Sequence, residues 1–100
     1  MSIRILGEIA EERQRQNERW GEQNHPDGTG TAMHQELVKH ARAAVAKHVD
    51  FGMLSWQDIL LEEVAEAFAE TDPALLRAEL VQVAAVATAW IEAIDRRPTH

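Results

Sequence analysis

The chain has no cysteine, which excludes a disulfide framework, an iron–sulfur cluster, a thiolate zinc site and a cysteine nucleophile. Basic residues are scarce: ten Lys and Arg stand against seventeen Asp and Glu, for a formal net charge of −7. Non-specific binding to a nucleic-acid polymer or an anionic membrane depends on clustered Lys and Arg, so neither partner is expected. Long apolar runs are missing too. The longest stretch without a charged residue is 80–91, shorter than the about 20 residues that span a bilayer. The opening Met1-Ser2-Ile3-Arg4 lacks the apolar core of a signal peptide, and the expected location is the cytoplasm. Three familiar catalytic signatures are also lacking. There is no Gly-x-Ser-x-Gly nucleophile turn. Gly28-Thr29-Gly30-Thr31 is not followed by the Gly-Lys-Ser/Thr of a phosphate loop. The only Glu-x-x-His, Glu22 to His25, lies in a Gly/Pro loop rather than on a di-iron helix.

What remains is ordinary globular composition, 45% hydrophobic and 27% charged in 100 residues. That length fits one domain, 1–100, and a domain this small is expected to be marginal alone or to oligomerise. The few glycines and prolines clump, and the clumps cut the chain into four helical segments at about 3–20, 32–48, 55–70 and 73–96. The first carries Leu6, Ile9, Arg13, Gln16 and Trp20 along one seam and stops at Gly21. Residues 21–30 form a loop, long enough in so small a domain to be functional or mobile. The second segment shows an apolar face of Leu37, Val38, Ala41, Ala44 and Val45. Ser55 and Asp58 form a capping box for the third, and Asp72-Pro73 starts the fourth. No alternating β-branched run competes, so the expected fold is all-α: a four-helix bundle with a short α3–α4 hairpin.

The fourth segment carries only Gln82 and Thr88 as polar residues between 80 and 91. A helix apolar on nearly every side is expected at the centre of a bundle or in a subunit interface. Glu79 projects from the face it shares with Val83, Val86 and Trp90, and an ionised carboxylate there needs a partner. The third segment offers Glu62, Glu63, Glu66 and Glu70 on one stripe. The turn between the two segments is so short that they must be antiparallel neighbours. Equal heights then pair Glu66 with Glu79 and Glu63 with Gln82, a four-cornered box with Glu62 at its margin. Carboxylates converging in an apolar setting raise one another's pKa unless a cation intervenes. All-oxygen ligands suit Mg²⁺ or Mn²⁺, which can also hold substrate phosphates. The plainer alternative is a solvated acidic face.

Glu62-Glu63-Val64-Ala65-Glu66 followed by Glu79-Leu80-Val81-Gln82 resembles the Glu-Glu-x-x-Glu … Glu-x-x-Asp signature of MazG-like nucleotide pyrophosphohydrolases. These belong to the all-α NTP pyrophosphatase group, which also contains the dimeric dUTPases. The resemblance covers 56–96 and takes in Arg19-Trp20-Gly21 and His25-Pro26. It implies a homodimer or homotetramer and Mg²⁺-dependent hydrolysis of a nucleoside triphosphate to the monophosphate and pyrophosphate. Carried over by position, Glu62, Glu63, Glu66 and Glu79 are metal-site carboxylates, with Glu63 and Glu66 the catalytic pair. Gln82 stands where the pattern has Asp. An amide oxygen can ligate but adds no charge, so a non-catalytic nucleotide-binding or protein-interaction module is the alternative. Trp20 is a candidate to stack on a base, His25 to contact phosphate or sugar. Of Lys39, Arg42 and Lys47, Lys47 is the first candidate to neutralise triphosphate charge. His34 and His48 read as hydrogen-bonded boundary residues, and Trp56 and Trp90 as core or interface.

Overall fold

A computed structural model describes residues 2–98, and within them the fold is all-α with four helices. These are α1 (Ile3–Trp20), α2 (Ala32–Asp50), α3 (Trp56–Ala69) and α4 (Pro73–Asp95). Each boundary lies within two residues of its expected position, because each is set by a local chemical signal. The Ser2 hydroxyl accepts from the Ile5 N–H to start α1. Gly21, at φ +66°, ends it by donating its N–H to the Asn17 carbonyl. Such a left-handed stop favours a residue without Cβ.

Ser55 and Asp58 form the expected reciprocal box: the Asp58 N–H donates to Ser55 Oγ at 3.2 Å, and the Ser55 N–H donates to Asp58 Oδ2 at 3.0 Å. Asp72 Oδ1 accepts from the Ala74 N–H at 2.8 Å and opens α4. The start of α2 uses a box that the sequence reading did not anticipate. His34 Nδ1 accepts the Thr31 N–H at 3.3 Å while Thr31 Oγ1 accepts the His34 N–H. His34 is thereby hydrogen-bonded at a boundary, as expected.

The chain clusters into two units, one of Met1–Asp27 with Thr88–His100, the other of Gly28–Ala87. In the first, Ile5 is 2% exposed, whereas Leu6 and Ile9, the residues expected to face inward, are each 40% exposed. The helix is rotated relative to its expected seam. Two contacts fix that rotation: the Ser2 N–H donates to Glu92 Oε1 at 2.9 Å, and Arg4 pairs with Asp95 at 3.6 Å.

In the second unit α2 packs on α3 through small residues, with Val38, Ala41 and Ala65 buried and Ala69 against them. Short side chains let two helices approach closely, so modest apolar volume still gives a dense contact. The α3 end is then tied to the α2 start. The Gly30 N–H donates to the Phe68 carbonyl and Gln35 Nε2 to the Ala69 carbonyl, both at 2.8 Å. These donors satisfy carbonyls that the helix end leaves without partners. Gly30 sits at φ +82°, and a Cβ there would meet Thr71 Cγ2 at 2.5 Å. The other end of the pair is closed by His48 of α2, whose Nδ1 lies 2.9 Å from Asp58 Oδ1.

Of the two settings expected for α4, the enclosed centre of a bundle is not found within the chain: of its residues only Leu76 and Thr88 are buried, while Leu75, Leu80, Val81, Ile91 and Ile94 are exposed. Judged by length and composition alone it could cross a membrane, although its longest uncharged run is short.

Candidate metal centre

The hairpin geometry brings three carboxylates together. Glu63 and Glu66 lie one turn apart on α3, Glu79 lies on α4, and only Glu70 to Asp72 separate the two helices. One oxygen from each lies within 4.8 Å of the others, and all three side chains are half-buried. Burial pushes the Glu63 carboxyl above its ordinary range, and the charges of Glu66, Glu79 and Glu62 push it further the same way. The group therefore favours anything that brings positive charge into it.

One such charge comes from α2: the Arg42 guanidinium lies 3.5 Å from Glu66 Oε1. Arg42 is itself mostly exposed and Glu66 mostly covered, so the arginine neutralises one edge of the cluster from the solvent side. Glu63 and Glu79 have no such cation among the ion pairs of the described residues.

The donor set fits a hard divalent ion. Mg²⁺ holds oxygens at about 2.1 Å, which places adjacent ligands about 3 Å apart. The three oxygens lie within 4.8 Å of one another.

The other expected residues are placed as follows. Glu62 is half-buried on α3, and its charge acts on Glu63 from outside the trio. Gln82 is exposed, three residues beyond Glu79. Lys47 is exposed on α2, and Lys39 pairs with Glu36 at 3.3 Å. Arg42 is the α2 cation that meets a carboxylate of the centre.

Trp20 and His25 belong to the first unit. Trp20 is 55% exposed, with the Arg19 guanidinium 4.8 Å from its ring centroid. Together with Gln16, Gln23 and His25 it lines an open surface cavity of about 530 Å³. His25 Nε2 lies 3.0 Å from Gln23 Oε1. Gln16 and Gln23 were not among the expected contacts, since amides in a polar helix and loop carry no distinguishing pattern. Trp56 and Trp90 are half-buried.

Compared with known proteins, the chain matches no family model, no curated protein and no solved structure.

Proposed function

We propose that the protein is a divalent-metal-dependent nucleoside triphosphate pyrophosphohydrolase, releasing pyrophosphate and a nucleoside monophosphate. The observation that carries this reading is the convergence of Glu63, Glu66 and Glu79 from two antiparallel helices, half-buried and within 4.8 Å. The likeness of residues 62–66 and 79–82 to the MazG-like signature supplies the reaction class. When bound, Mg²⁺ or Mn²⁺ would hold the triphosphate oxygens and make a water nucleophilic at neutral pH.

The chain's own residues do the rest. Glu63, Glu66 and Glu79 would hold the ion from α3 and α4, whose first turns are capped by Ser55 and Asp72, so little reorganisation would accompany binding. Glu62 adds negative charge beside them. Arg42, at Glu66, is placed to balance carboxylate charge and can turn to an anionic ligand, because its side chain is mostly exposed.

The second reading, a non-catalytic binding module, draws on Gln82, a neutral residue in exposed position where the signature has Asp. The two separate in one assay. Purified protein is incubated with a panel of NTPs and dNTPs and Mg²⁺ or Mn²⁺, and pyrophosphate is followed. Release that is lost in Glu79→Gln supports the hydrolase. Retained nucleotide binding with no release from any nucleotide supports the module.

A further inference from the structure

Among the ion pairs of the described residues, Arg42 is the cation that reaches the acidic trio, and it is held loosely. Its Nε lies 3.5 Å from Glu66 Oε1, longer than the about 2.7–2.9 Å of a charge-assisted hydrogen bond. Charge alone therefore keeps the pair together. The Arg42 side chain is 61% exposed, against 23% for Glu66, so no packing locks the guanidinium where it stands.

The backbone that carries Arg42 is fixed, by contrast. Ala41, the preceding residue, is buried with Val38 against Ala65 of α3. Gln35 Nε2 and the Gly30 N–H donate to the Ala69 and Phe68 carbonyls, both at 2.8 Å, and tie the start of α2 to the end of α3. The helix cannot leave Glu66 without breaking these contacts, whereas the guanidinium can swing out into water. Lys39, one turn earlier on α2, cannot take its place, because it is paired with Glu36 at 3.3 Å.

We propose that Arg42 is the resident counter-ion of Glu66, released when a divalent ion takes that carboxylate, so that it opposes metal loading and then serves as an anion ligand beside the loaded site. This rests on the metal-binding reading given above. Mg²⁺ holds a carboxylate oxygen at about 2.1 Å, and a guanidinium left at 3.5 Å from the same oxygen would face a like charge across a short gap. Turning away costs Arg42 little, since an exposed ion pair is weak. Once turned, it keeps its N–H donors for the phosphate oxygens of an anion. One side chain thus couples metal to anion, and such coupling acts equally in both directions.

The rival role is a fixed partner that orients Glu66 toward the ion, as hydrogen bonds from outside a metal site often do. That role calls for a short contact and a locked side chain, and Arg42 has neither. The two roles also predict opposite signs, because removing an orienting group weakens metal binding and removing a competitor tightens it.

Arg42→Gln changes an exposed side chain and should leave the helical circular dichroism signal intact. Titration calorimetry of chelator-treated protein with Mn²⁺ alone, without nucleotide, should show binding roughly fivefold tighter or more in Arg42→Gln than in wild type. Arg42→Lys, which keeps the charge, should stay near wild type. Nitrogen-15 NMR follows the Arg42 Nε–Hε signal directly. Mg²⁺ should shift it, and inorganic phosphate should shift it further only when Mg²⁺ is present. Equal or weaker Mn²⁺ binding in Arg42→Gln, or a phosphate shift of the same size without Mg²⁺, would overturn the release of Arg42 while leaving the metal centre standing. Absence of Mn²⁺ uptake by wild type and variant alike would remove the metal centre, and this proposal with it.

Discussion

Replacing Glu63 by glutamine is expected to stabilise the metal-free protein. Glu63 faces Glu66 and Glu79 across no more than 4.8 Å between nearest oxygens. Two unit charges at that separation repel by about 0.9 kcal/mol in bulk water and by about 3.5 kcal/mol at an effective dielectric of 20. Arg42 offsets part of the charge on Glu66, and Glu63 itself takes up a proton more readily than usual. The low end, about 1 kcal/mol, is therefore the expected gain, equivalent to about 4–8 °C in Tm for a domain of this size.

The pH dependence fixes the sign. Burial and the neighbouring carboxylates hold Glu63 above its ordinary value of 4.5 in the folded state. Between the two values the folded state holds a proton that the unfolded state lacks. Wild-type stability consequently falls as pH rises through that window, and the repulsion is absent below 4.5. Thermal melts by circular dichroism in chelator should show Glu63→Gln above wild type at neutral pH and level with it below the ordinary carboxylate range. Manganese should reverse the order. At a hundredfold excess over Kd, the wild type gains about 2.7 kcal/mol, and the variant, short of one ligand, gains less. No gain in chelator at neutral pH, or an equal gain at acid pH, would refute the reasoning.

Glu66→Gln and Glu79→Gln are each expected to reduce pyrophosphate release at least a hundredfold while leaving the helical circular dichroism signal intact; full turnover in either would remove the cluster from the chemistry. Gly30→Ala should destabilise the fold by about 1–2 kcal/mol from its left-handed backbone alone, with the contact to Thr71 adding to it, as read by urea denaturation; an unchanged midpoint would show that this segment does not clamp the end of α3. Hydrogen bonds from Ser55, backbone first, hold the Asp58 carboxyl below its ordinary value, with His48 adding to the same effect. Stability from this cap is therefore present above the ordinary value of 3.8 and lost as pH falls through the lowered one. Asp58→Asn should lower Tm at neutral pH and flatten its acid dependence, and an acid limb identical to wild type would contradict the assignment.

Local signals carried most of the fold. Ser55 with Asp58, Asp72 before Pro73, and Gly21 each act within a few residues, so their positions could be read directly. The pairing of Glu66 with Glu79 was legible for a related reason: a turn of a few residues leaves two helices only one way to lie together. Gln82 followed from the same height rule but is exposed, because height along a helix does not fix rotation about it. Rotation is likewise why Ile5 rather than Leu6 is buried. Three cations on α2 are equivalent until the small residues Val38, Ala41 and Ala65 choose the packed face. The tie from Gly30 to Phe68 joins segments far apart in sequence and has no local signature.

The central claim is that side-chain oxygens of α3 and α4 bind a divalent cation together. Isothermal titration of the chelator-treated protein with Mn²⁺, in the presence of a non-hydrolysable nucleoside triphosphate, tests it most directly. The expected result is saturable uptake by each chain, at least tenfold weaker in Glu79→Gln and equally so in Glu63→Gln. Heat no greater than dilution for the wild type, or binding unchanged by both substitutions, would contradict it.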